Sequence, residues 1–247
     1  MNMSSMILDW IGNITVISLL FAGAVVIYWF ITFVVKFLAY ELVVRKDISK
    51  NRIQRGCLYM LVSPDFYLSH FFKEHAKIKG EQAKGKLIQR FNSWNLLISI
   101  FTFLALIIAS TQFNIHFSLL FLILIRCFSR SVEIGYAFLM DVIYKKSRKS
   151  WLNAQRRIRL ALSSYVELYF LYASVYFVSP ITSYHGWDSV VLGAQSLLKS
   201  FGVGTLTNVS GAYEGANIAL SYMIYGQVFT TLILVVMSLA IYVGRAK

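Results

Sequence analysis

The residues best placed to do chemistry in this chain lie in Ser189–Gly204, S-V-V-L-G-A-Q-S-L-L-K-S-F-G-V-G. The stretch sits between two apolar runs and ends in Gly202-Val203-Gly204. Backbone carbonyls arranged in a ring can replace an ion's hydration shell. Non-helical backbone survives at membrane depth only where it is buried in protein or lines a watery path. Val190–Leu198 reads as a short helix that Asp188 or Ser189 can cap. Ser200–Gly204 reads as an extended loop after it, and the pattern points to an ion pore.

Other chemistry finds little support. His70 and His75 are five residues apart, which is not a ligand pair on one helical face, and no metal-binding or catalytic pattern accompanies them. Gly202-Val203-Gly204 lacks the third glycine and the following acid of a dinucleotide site. No enzyme activity and no cofactor are expected, nor any metal beyond transported ions. The two cysteines, Cys57 and Cys127, form no disulfide framework. Cys127 lies in an apolar run and reads as a small core residue.

The elements that must position the segment are membrane helices. Of 247 residues, 57% are hydrophobic and only 14% charged, against about 25% charged in soluble domains. A bilayer crossing needs about 20 mostly apolar residues. Five spans can be drawn: Asn13–Tyr40, Trp94–Gln112, Leu160–Val178 and Asn217–Val243, and Ile115–Ile125, which is apolar but short and continues past Arg126 into a longer helix-like segment ending near Tyr144. Lys36 is expected to snorkel to the interface. The first run is no obvious cleaved signal, because it is long and its n-region lacks Lys and Arg.

Charge orients these spans. Arg45–Arg90 carries eleven Lys and Arg and Lys145–Arg159 carries seven, while Met1–Gly12, Thr111–His116 and Pro180–Ala216 share only Lys199. The positive-inside rule puts the basic segments in the cytoplasm of a cell (inner) membrane protein, with the N-terminus outside and the C-terminus inside. No nucleic-acid module accompanies the net charge of +13, so lipid is the expected partner. Glu41–Arg90 reads as a helical hairpin along the inner leaflet. There Phe66, Tyr67, Phe71 and Phe72 face either lipid headgroups or the protein's own helices. Within the spans, Arg130, Glu133, Asp141 and Glu167 are expected to form a charge-paired collar.

The order of apolar span, short helix, glycine loop and apolar span resembles the tetrameric potassium-channel pore domain over about residues 160–243. The run Arg130–Asp141 also looks like the segment preceding the pore in small bacterial channel-domain proteins. Together the five apolar runs and this resemblance give an all-α membrane protein with five transmembrane helices, in which the resemblance implies a re-entrant pore helix and filter-like loop before the last. Its parts are an N-terminal span (1–40), a basic cytoplasmic segment (41–92), a helical hairpin with a cytoplasmic extension (93–144), a basic linker (145–159) and a pore-like module (160–247). Ser200, Phe201, Gly202, Val203 and Gly204 fall on the filter pentapeptide, and Gly226 falls near the inner-helix hinge glycine. A second register places the filter at Thr207–Gly211. Several positions depart from the family pattern: Lys199 and Ser200 stand for threonines, Val203 for the aromatic and Thr205 for the aspartate. Four lysines on an axis would repel cations. A conducting pore therefore requires Lys199 behind the filter, against Glu214 or a helix carbonyl. The implied function is a homotetrameric ion channel passing a monovalent cation, K+ first among them. The alternative is a nonconducting accessory subunit, or a membrane-perturbing effector, that keeps the plan without a working filter.

Overall fold

A computed structural model describes residues 3–44, 63–112, 117–143, 152–179, 187–214 and 216–235. These residues form helices α1 (Met3–Val44), α2 (Pro64–Ile78), α3 (Glu81–Gln112), α4 (Phe117–Ile143), α5 (Ala154–Val178), α6 (Trp187–Gly204), α7 (Val209–Tyr213) and α8 (Ile218–Leu232), with no strand among them. Four helices hold stretches long and apolar enough to cross a bilayer: Thr15–Val44, Glu81–Gln112, Gln155–Val178 and Ile218–Val235. Together they mark a membrane protein. Helix α4, expected as a fifth span, is not among them. Arg126, Arg130 and Glu133 interrupt its middle, although it does run unbroken past Arg126.

Local chemistry sets several helix starts. Ser63 caps α2 by accepting from the Phe66 amide at 3.2 Å, with Pro64 and Asp65 in the first turn. Asn153 caps α5 through the Arg156 amide at 3.0 Å, and Asn217 caps α8 through the Leu220 amide at 2.8 Å. Gly80 joins α2 to α3 at a φ of +117°, which a side chain would resist.

Helix α5 is the centre of the molecule. Leu168, Leu171, Tyr172, Val175 and Tyr176 are buried along it. They pack with Phe103 and Leu106 of α3, Ile123, Cys127 and Ile134 of α4, Val203 of α6 and Ile224 of α8. Cys127 is thus the core residue its surroundings implied. A second cluster joins Ala39 and Tyr40 of α1, Leu68, Phe72 and Ala76 of α2, and Leu87 and Phe91 of α3. Phe72 is fully buried there, and Phe66 packs edge-on against Tyr136 of α4. The aromatics of α2 therefore serve the protein's own helices. The outer face of α1, with Val16, Leu19, Val26 and Phe30 exposed, presents the apolar surface that lipid would cover.

Candidate functional site

Two constellations bring polar groups together in the apolar interior. The first is an ionic cluster from four helices. The Arg130 guanidinium grips Glu167 through Nε at 2.6 Å and a second nitrogen at 2.9 Å, and donates to Glu133 at 2.5 Å. Lys36 reaches Glu133 at 3.1 Å and donates to Ser69 Oγ at 2.6 Å, with Asp65 at 3.6 Å. Lys73 stands 3.7 Å from Glu133. Tyr28 donates to Asp65, which also accepts from Ser129 at 3.0 Å. Three cations thus face three carboxylates.

Neutral balance matters because burying a lone charge is costly and breaking a buried pair costs about 3–5 kcal/mol. The expected collar of Arg130, Glu133 and Glu167 is present, while the side chain of Asp141 lies outside the described residues. Lys36 does not snorkel. It is 1% exposed, and its stem runs inward so that its ammonium can meet Glu133 and Asp65. Lys36 and Asp65 were missed as members. The available signals were a lysine inside an apolar run and an acid just after Ser63-Pro64.

The second constellation is the segment expected as a filter. It is not extended. Helix α6 continues without a break from Trp187 to Gly204, so Ser200–Gly204 form its last turn. Neither Gly202 nor Gly204 has a positive φ. The physical reason is close packing. The buried face of α6 carries Ser189, Gly193, Ser196, Ser200 and Gly204, a run of small residues of the kind that lets membrane helices approach closely. A Cβ at Gly204 would overlap the Tyr169 ring, and one at Gly193 would meet Ile107 Cδ1 at 2.5 Å.

All five carbonyls of the segment accept hydrogen bonds from the chain itself. Ser200 O accepts from Gln227 Nε2 at 2.9 Å and Phe201 O from the Thr205 amide at 2.8 Å. Gly202 O accepts from the amides of Thr207 and Asn208 at 3.0 and 3.1 Å, and Val203 O from the Leu206 amide at 3.0 Å. Gly204 O accepts from the Tyr165 hydroxyl at 3.0 Å. Gln227 was not foreseen, yet it ties three helices, since its Oε1 accepts from Tyr176 of α5 at 2.6 Å. A glutamine beside Gly226 in an apolar span was the only trace of it in sequence.

No protein-family model, curated protein or solved structure matches this chain. Its site residues therefore rest on geometry alone.

The remaining expected residues fall as follows. Phe201 packs on the Tyr169 ring with centroids 4.2 Å apart, and Val203 is fully buried. Lys199 lies over the Tyr176 ring at 5.5 Å. It makes no ion pair with Glu214 among the described residues, because Glu214 is exposed at the end of α7. Partial burial pushes the Lys199 ammonium down from its ordinary pKa. Thr205 is exposed and donates back to Phe201 O at 2.7 Å. Gly226 lies within unbroken α8, where an added Cβ would meet the Tyr172 hydroxyl at 3.2 Å. Here it permits close approach to α5. In the second register, Thr207 and Asn208 lie in the exposed turn and Val209–Gly211 in α7.

Proposed function

We propose that the protein is a nonconducting, channel-like membrane subunit. It keeps an outer helix (α5), a short helix (α6) and an inner helix (α8), and uses Ser200–Gly204 as a packed helix end. The observation that carries this reading is the occupancy of all five carbonyls by donors of the same chain. A carbonyl committed to an amide or a hydroxyl is a poor substitute for water around a cation. Lys199, stacked on Tyr176 beside the segment, adds a positive charge that disfavours a cation path. On the same reading the basic segments 41–90 and 145–159 are cytoplasmic and residues 180–216 lie on the outer side, as the uneven spread of Lys and Arg along the chain favours.

One feature favours a second reading, the pore-loop cation channel. Ile218, Tyr222, Tyr225 and Phe229 form an exposed stripe along α8, each at least 63% exposed. In a homotetramer this stripe would face the axis or a neighbouring subunit, and α4 would serve as a fifth span. The exposed turn Thr205–Asn208 would then supply hydroxyl and amide oxygens at the mouth.

Reconstitution separates the two. The full chain in liposomes is expected to show potassium and sodium flux no greater than protein-free vesicles, with no fourfold assembly in mild detergent. A tetramer passing potassium in preference to sodium would sink the nonconducting reading and establish the other.

A further inference from the structure

Helix α3 carries one continuous exposed stripe. Lys86, Arg90, Leu97, Phe101, Leu104 and Ile108 are all exposed, and at about 100° per residue they fall within an arc of about 60°. The stripe changes character once. Its first two members are cationic and the other four apolar. The change comes at Trp94, whose ring lies 5.9 Å from the Arg90 guanidinium, and tryptophan favours the membrane–water interface. Arg90 and Ile108 are separated by about 27 Å of helix, close to the hydrocarbon thickness of about 30 Å.

Helix α5 repeats the pattern beside it. Arg159 is exposed, and Leu162 and Val166 follow it, exposed on the same face. Asn92 of α3 fixes the register of the two helices. Its Nδ2 donates to Leu160 O at 3.3 Å and to Ser163 Oγ at 2.8 Å, and its Oδ1 accepts from Ser164 at 2.8 Å. Further along, Phe103 meets Phe170 with ring centroids 5.9 Å apart. The helices therefore run in the same direction, with Arg90 and Arg159 at one level. Neither arginine, nor Lys86, forms an ion pair among the described residues.

We propose that Lys86, Arg90 and Arg159 form a contact surface for anionic phospholipid headgroups, at the edge of the bilayer. Each side chain meets headgroup phosphates on its own, through charge-assisted bonds. The exposed apolar residues beyond them receive the acyl chains. The junction of the two surfaces selects a lipid. On both helices positive charge stops where exposed apolar surface begins, so the occupant must be anionic at one level and apolar at the next. A phospholipid meets both demands, and a soluble phosphate ester or an acidic peptide meets only the first. The cytoplasmic leaflet is the one that carries anionic lipid attracting such residues. Placement on that side rests on the proposed topology, whereas the preference for anionic lipid holds whether or not the protein conducts.

The test follows thermal unfolding of the full chain in neutral detergent, titrated with short-chain phosphatidylglycerol, short-chain phosphatidylcholine or inorganic phosphate. Phosphatidylglycerol is expected to stabilise the protein and phosphatidylcholine to do so much less. Arg90→Gln and Arg159→Gln should each weaken the apparent affinity for phosphatidylglycerol by about fivefold, the contribution of one basic residue near an anionic surface. Arg90→Lys should retain it, because the contact reads charge. Lys199→Gln should leave it unchanged, since Lys199 lies over Tyr176, about 25 Å further along α5 than Arg159. Stabilisation by inorganic phosphate equal to that by phosphatidylglycerol, and lost in the same two Gln variants, would assign the surface to a soluble anion and overturn the lipid assignment. Equal stabilisation by phosphatidylcholine, or full retention of the effect in Arg90→Gln and Arg159→Gln, would overturn the surface itself.

Discussion

Glu167→Gln is expected to cost the folded protein about 3 kcal/mol, the largest loss from any single substitution considered. Glu167 is fully buried and holds Arg130 through two bonds of 2.6 and 2.9 Å. Removing its charge leaves Arg130 sharing Glu133 with Lys36 and Lys73, in surroundings where an uncompensated arginine costs about 2.5–3.5 kcal/mol. The general figure for breaking a buried pair, about 3–5 kcal/mol, brackets the same value. A double-mutant cycle isolates the interaction. Arg130→Met alone should destabilise comparably, whereas Arg130→Met with Glu167→Gln should cost clearly less than the sum, because neither orphaned charge remains. Denaturant unfolding in mixed micelles reads all three. Strict additivity would mean that the two side chains do not stabilise one another.

Gly204→Ala is expected to destabilise by roughly 2 kcal/mol, within the usual range of about 1–3 kcal/mol for overpacking. The added methyl overlaps the Tyr169 ring and stands 3.2 Å from Gln227 Nε2. That ring is itself 5% exposed and packed on Phe201, so it has little room to turn away. Tyr169→Leu combined with Gly204→Ala should recover part of the loss by removing the overlapping ring edge. Gly202→Ala offers an internal comparison. Its Cβ would meet Asn208 Cβ at 3.0 Å, on an exposed turn that can give way, so its effect should be smaller. If Gly204→Ala leaves unfolding unchanged, the helical packing of 200–204 is not what the glycine serves.

These two sites show what was and was not legible in sequence. The apolar runs fixed the membrane class, because nothing but long hydrophobic helices accounts for so few charges in 247 residues. Arg130, Glu133 and Glu167 were legible as a group, because buried charges must find partners and i,i+3 spacing supplies one. Lys36 was not, because a lysine near the end of a span reads equally as snorkelling outward or pairing inward. Only the positions of Asp65 and Glu133, contributed by other helices, decide between the two. The glycines of Gly202-Val203-Gly204 were misread for a similar reason. Glycine permits an extended loop, and it equally permits a helix to press against an aromatic ring. The small residues upstream, Ser189, Gly193, Ser196 and Ser200, held the clue at spacings of three and four, but their facing partners on α5 and α3 cannot be seen in one linear segment.

The burial of α5 carries a consequence for how the protein is made. Its apolar stretch is the least hydrophobic of the four candidate spans, at a mean hydropathy of 1.2, and 72% of it is buried inside the protein, whereas the first span has 2.3 and is 17% buried. A helix that carries Glu167 and is covered by neighbours on nearly every side is poorly suited to lipid on its own. It should therefore enter the bilayer as a dependent element, received by α3 and α4 once they stand in place and Arg130 can meet its carboxylate. Glycosylation mapping of nascent chains would show this order as efficient insertion of α5 behind the native upstream helices and poor insertion behind an unrelated leader. Equal insertion in both settings would show that α5 needs no reception.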